Sequence, residues 1–103
     1  MKQEQARKSR EPSLAHNLAN SRYEASMDGD PVGIAEYRRE GDLVRFTHTK
    51  VERQYEGQGI ASRLAAFALD DVRRQGLKVV PQCAFIARYV QRHEKEYGDV
   101  VAG

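Results

Sequence analysis

Gln54-Tyr55-Glu56-Gly57-Gln58-Gly59-Ile60-Ala61 stands between two runs of opposite periodicity. A β-branched, aromatic-containing run ends just before it, at Val51, and an alanine-rich amphipathic run starts just after it. The pattern predicts a strand, a glycine turn and a helix in immediate succession. The first amides of a helix have no intrahelical partner, and the helix dipole adds partial positive charge there. Two glycines at alternate positions let an anion approach the backbone with no Cβ in the way. Gly57 to Ile60 contains no Ser, Thr, Asp or Asn to act as an ordinary N-cap, so those amides are left for water or a ligand. A plain strand-to-helix connection is the other reading of such a turn.

Upstream of the turn, Arg22 to Met27 reads as a strand, closed by the turn residues Asp28-Gly29-Asp30-Pro31. Val32 to Arg39 is a second strand, Glu40-Gly41-Asp42 a hairpin turn, and Leu43 to Val51 a third strand with Val44, Phe46 and His48 on one face. Downstream, Ile60, Ala61, Leu64, Ala65, Phe67, Ala68, Leu69 and Val72 form a broad apolar stripe at helical spacing and predict a helix from Ile60 to Gln75. Asp70 and Arg74 are spaced to pair along it. Gly76 supplies a left-handed stop. The helix crosses over to a short strand, Leu77 to Pro81, parallel to the third one. Cys83 to His93 is a second helix. The order is β-β-β-α-β-α: an α+β fold, an antiparallel meander extended by a parallel strand after the main helix.

At 103 residues the chain fits a single small domain, with a limited core. Its hydrophobic content of 40% and regular patterning argue for a globular chain, not a disordered one. A net charge of +2 is too small to point to nucleic acid. A single cysteine cannot form an internal disulfide, and the chain lacks a signal-like apolar start, so a reducing cytoplasm is the expected compartment. No window approaches the length of a membrane span. Residues 1–20 carry Lys2, Arg7, Lys8 and Arg10 without a sustained period. They read as a flexible arm, a solvated tail in preference to a nucleic-acid arm, with the domain running from 21 to 103. One Cys and three scattered His give no metal-ligand cluster, and no paired carboxylates suggest a hydrolase.

Two phosphate loops are excluded. A dinucleotide fingerprint needs a third glycine where Ser62 stands, and no Gly-Lys-Ser/Thr triplet occurs. Gln54-x-x-Gly57-x-Gly59 instead resembles the acyl-CoA pyrophosphate signature, Gln/Arg-x-x-Gly-x-Gly/Ala, of the GNAT acetyltransferase superfamily. Phe46-Thr47-His48-Thr49 precedes it; Val79-Val80-Pro81-Gln82-Cys83-Ala84-Phe85, Tyr89 and His93 follow. As an ordered set these resemble the minimal single-domain GNAT-like N-acetyltransferase subfamily, from about Arg22 to Val100. The resemblance implies that acetyl-CoA is the cosubstrate. Gln54, Gly57, Gln58, Gly59, Ile60 and Ala61 would hold its pyrophosphate, and the strand end near His48 to Val51 would pair with the pantetheine arm. It further implies a slot for the thioester where the third strand splays from the last. The helices that follow the first strand in larger members are missing here, which leaves the acceptor site open or completed by a partner.

Three side chains are candidates for the chemistry that the resemblance implies. Cys83 follows Pro81 and opens a helix, a setting that favours the reactive thiolate. It could carry an acyl intermediate, line the slot, or be a small buried hydrophobe. The subfamily's Pro-x-Cys pattern favours a functional role. His48 could act as a base for the acceptor or for Cys83, or be a half-buried strand residue bonded to backbone. Tyr89 matches the region where many members protonate the leaving thiolate, and could equally pack with Phe85 and Ile86. His93 lies roughly 15 Å from Cys83 along one straight helix, too far for a dyad, and reads as a helix-end cap. The subfamily's His-Pro-Glu-Tyr is His93-Glu94-Lys95-Glu96-Tyr97 here. Taken together the expected activity is acetyl transfer from CoA to an amine, small-molecule or protein, by a monomer or weak homodimer. The alternative is a non-catalytic acyl-CoA-binding or interaction module, and a nucleic-acid-binding domain is a more distant rival.

Overall fold

The computed structural model describes residues 11–103. The basic residues Lys2, Arg7, Lys8 and Arg10 of the expected arm lie outside them. Five strands form one sheet in the order β1-β2-β3-β4-β5: β1 Ser13–Asn17, β2 Arg22–Met27, β3 Asp30–Glu40, β4 Leu43–Val51 and β5 Lys78–Pro81. The first four pair antiparallel in sequence order, and β5 runs parallel to β4. Helix α1 is Ile60–Arg74, α2 is Ala84–Arg92 and α3 is Glu94–Tyr97. The α+β meander with a parallel final strand is as the sequence predicts, with one strand added in front.

That strand corrects the expectation of an arm through residue 20. Leu14 and His16 of β1 turn toward the body of the domain, and the His16 ring stacks on Tyr23 at 4.1 Å. His16 Nδ1 lies 3.3 Å from Asp71 on α1, and its Nε2 lies 2.6 Å from the Tyr37 hydroxyl. A 3-10 turn at Leu18–Asn20 is all that links β1 to β2. No helix intervenes there.

The turns follow from local chemistry. Asp28 and Gly29 both take positive φ between Met27 and Asp30, the backbone of a two-residue hairpin whose twist suits the flanking strands. Helix α1 ends with the Gly76 amide on the Arg73 carbonyl and the Leu77 amide on the Val72 carbonyl, each at 3.0 Å. Gly76 at φ 74 makes that left-handed stop possible. The buried side of α1, Ile60, Leu64, Ala65, Ala68, Leu69 and Val72, lies on the sheet over Tyr23, Ala35, Phe46 and Val79. Arg74 pairs with Asp71, not Asp70. Asp70 is taken by the Tyr97 hydroxyl at 2.9 Å, which ties α3 back to α1. Val101 then bridges to Val79 beside β5, fixing the C-terminal residues to the sheet edge.

One irregularity positions the site. Glu36 faces His48 across the ladder while Tyr37 faces Phe46, so Thr47 is an extra residue in β4. A bulge of this kind shifts the alternation of side chains by one place. Val44 and Phe46 are buried as predicted, but His48 is exposed. It does not share their face, and Thr49 takes the inward position instead.

Candidate active site

Strand β4 pairs with β5 only from Leu43 to Phe46. The chain leaves β5 at Pro81, and the Cys83 amide makes the last bond of this edge, 2.8 Å to the Phe46 carbonyl. Beyond that point residues 47–51 of β4 have no strand partner on the β5 side among the described residues. The two parallel strands therefore open into a slot with Cys83 at its apex. Cys83 is 9% exposed, and its Sγ sits 3.2 Å from Thr49 Oγ1. The bulge at Thr47 creates this contact by turning Thr49 inward.

At the open end of the slot stands the glycine turn. A 3-10 turn, Arg53–Tyr55, leads into Gly57 at φ 84 and Gly59 at φ 80. Gly59 is the N-cap of α1, with no side-chain cap. The first helix-closing bond is that from the Arg63 amide to the Gly59 carbonyl, at 3.1 Å. The amides of Gly57, Gln58, Gly59, Ile60, Ala61 and Ser62 donate to no acceptor among the described residues. A Cβ built on Gly57 or Gly59 would meet nothing within 4 Å, so the backbone faces open space. Here a cleft of about 220 Å³ is lined by Val51, Tyr55, Gly57, Gly59, Ala61 and Phe85, among others. Glu56 lines it too, and no Lys or Arg does. An anion in this cleft would be held by backbone amides and the helix dipole.

A second cleft, of about 180 Å³, shares Ser62 and Phe85 with the first and continues along α2 past Arg88, Tyr89, Arg92 and His93. Tyr89 stacks on His93 at 4.1 Å and on Phe85 at 6.3 Å. His93 caps α2 as expected, its amide and its Nδ1 both on the Tyr89 carbonyl. Burial, reinforced by Glu96 and Asp70, pushes the Tyr89 hydroxyl above the ordinary tyrosine range, so it stays protonated. Tyr89 follows Cys83 by six residues, or about 9 Å along the helix axis. A larger cleft of about 540 Å³, beside Val90, Glu94, Gly98 and Val101, is lined by no Lys or Arg.

The family model described as GCN5-related N-acetyl-transferase matches residues 22–100. The chain belongs to this family. A GCN5-like putative N-acetyltransferase from Staphylococcus aureus shares the fold with a TM-score of 0.66 at 22% identity, over 88% of each chain. The ribosomal-protein-S18-alanine N-acetyltransferase from Escherichia coli gives a TM-score of 0.58 at 18% identity, over 68% of this chain and 49% of that one. Protein NATD1 of Homo sapiens and of Gallus gallus are each 41% identical to it over 51 residues. The matched part is 50% of this chain and 45% or 46% of those relatives, so the chain spans about half the length of the curated relatives it matches.

In this member of the family the residues predicted from sequence fall into separate groups. Val51, Gly57, Gly59, Ile60 and Ala61 line one cleft. Ile60 lies at the cleft's inner wall, since the residue is only 2% exposed and belongs to the core. Gln54 and Gln58 are exposed beside the cleft and do not line it. Cys83 closes the slot, His48 lies on the other face of β4, and Tyr89 belongs to the second cleft. Thr49, whose inward position depends on the bulge, and Arg88 with Arg92 are not among the site residues expected from sequence. The spacing of the two arginines, one helical turn apart, was the available signal.

Among the described residues no group of three or more His, Cys, Asp or Glu could hold a metal ion. No helix among them is long and apolar enough to cross a membrane.

Proposed function

We propose that this chain binds acetyl-CoA and transfers the acetyl group to the amine of a small molecule or protein. The observation that carries the proposal is the row of unpartnered amides at residues 57–62, placed at the mouth of a slot beside a free strand edge. The amides suit a pyrophosphate. The free edge of residues 47–51 suits the two amides of a pantetheine arm, which would add to β4 as a short extra strand. A thioester threaded this way ends beside Thr49 and Cys83.

Two routes then lead to product. In the direct route a neutral amine attacks the thioester carbon, the C–N bond forms, the C–S bond breaks, and CoA leaves as a thiolate. In the relayed route the Cys83 thiolate first takes the acetyl group and releases CoA, and the amine then attacks the new thioester. The pair Thr49–Cys83 favours the relay, since Thr49 Oγ1 can orient the sulfur. Neighbouring residues of a strand point to opposite faces. His48 is therefore turned away from Cys83 and suited to accept a proton from an amine arriving at the open face. Tyr89 would serve as proton donor only if the thioester ran into the second cleft.

Acetyl-CoA hydrolysis and turnover against a panel of amines, followed by thiol release, test the proposal. The expected result is amine-dependent thiol release with an acetylated amine recovered by mass spectrometry. Tight binding with no turnover on any amine would make the chain a non-catalytic acyl-CoA module. No binding of CoA at all would overturn the assignment.

A further inference from the structure

We propose that Arg88 and Arg92 form a subsite for the 3′-phosphate of CoA, so that this protein discriminates CoA from dephospho-CoA. This rests on the reading of the glycine turn as the pyrophosphate site. The two residues lie one turn apart on α2 and line the same cleft, so their guanidinium forks can converge on one anion. Both are exposed, and neither has an ion-pair or hydrogen-bond partner among the described residues. In contrast, Arg22, Arg45, Arg63, Arg73 and Arg74 are each engaged by a carboxylate.

The cleft's position identifies the anion. It meets the glycine-turn cleft at Ser62 and Phe85. In CoA the pyrophosphate and the 3′-phosphate hang from carbons 5 and 3 of one ribose, so their two sites must be neighbours. The division of charge fits as well. The glycine-turn cleft offers amides and no cationic side chain, whereas its neighbour offers two guanidinium groups to a phosphomonoester carrying about −1.5 to −2 charges. Phe85 and Tyr89, on the same side of α2, form an aromatic wall beside which the attached nucleoside would lie. The carboxylates nearest this wall, Asp70 and Glu96, act on Tyr89, and neither lines the cleft.

The test is calorimetric titration of the full chain with CoA and with dephospho-CoA, which lacks the 3′-phosphate alone. The parent is expected to bind CoA at least about tenfold more tightly, equivalent to about 1.4 kcal/mol. In the variant Arg88→Gln/Arg92→Gln the two ligands should bind alike, at the parent's dephospho-CoA affinity. Both substitutions are on the surface, and an unchanged melting temperature confirms the fold. Equal binding of both ligands by the parent would overturn the subsite and leave the pyrophosphate site standing. So would a gap that survives the double substitution. Binding of neither ligand would overturn the underlying CoA reading and the subsite with it.

Discussion

Replacing Gly59 by alanine separates a backbone requirement from a ligand requirement. Gly59 has φ 80, and a Cβ there would project into open space. The cost to folding is therefore strain alone. A left-handed conformation costs an L-residue about 1–2 kcal/mol. Part of this, about 0.4–1 kcal/mol, is offset by the narrower unfolded ensemble of alanine. A net loss of about 1 kcal/mol should lower the melting temperature by about 4–8 °C in a domain of this size. Gly41 is the matched control. It has φ 62, equally open surroundings, and lies in the hairpin before the opposite end of β4. Gly41→Ala and Gly59→Ala should lose similar stability in thermal melts followed by circular dichroism. Calorimetry with CoA should set them apart. Gly41→Ala should bind like the parent. Gly59→Ala places a methyl group where the phosphate approaches, and losing one charge-assisted hydrogen bond, about 1.5–3 kcal/mol, weakens binding roughly 10- to 150-fold. Parent-like CoA affinity in a folded Gly59→Ala protein would refute the phosphate-loop assignment. So would an equal loss in Gly41→Ala.

Three further outcomes are expected. Cys83→Ala should keep the parent's CoA affinity and lose acetyl transfer, with acetylated Cys83 seen by mass spectrometry in the parent after brief exposure to acetyl-CoA; undiminished transfer would leave the direct route. Tyr23 is held protonated by burial and by its 2.7 Å bond to Asp71, which raise its pKa well above the ordinary value. Its stabilising contribution is therefore complete below about pH 10 and is lost as pH rises beyond, so denaturant midpoints should fall at alkaline pH less steeply in Tyr23→Phe than in the parent. A chain starting at Ser21 lacks β1, uncovers Tyr23 and Tyr37, and should melt well below the parent; an unchanged melting temperature would mean that β1 adds nothing to the core.

Where local pattern decides structure, the sequence was a good guide. β4 and the start of α1 fall where alternation, the glycine turn and helical spacing place them. Tertiary contacts and backbone irregularities account for what was missed. β1 is short and polar, with Leu14 and His16 as its inward residues, and it holds to the sheet through the stack on Tyr23 and the approach to Asp71. The bulge at Thr47 reverses the faces of His48 and Thr49, and no local signal in Phe46-Thr47-His48-Thr49 announces an extra residue. The pairing of Arg74 with Asp71 depends on Tyr97 having claimed Asp70 from a distant element. The glycine turn itself was legible because its meaning is local: left-handed glycines at an uncapped helix start.

The proposed placement of CoA runs across the glycine turn and along the free edge of β4. It is tested most directly by following the backbone amide resonances of the labelled protein during titration with acetyl-CoA. The largest changes are expected at residues 57–62 and 47–51, with smaller ones at Arg88 and Arg92. No change at residues 57–62 at saturating acetyl-CoA, or changes concentrated around Val90 and Val101, would contradict it.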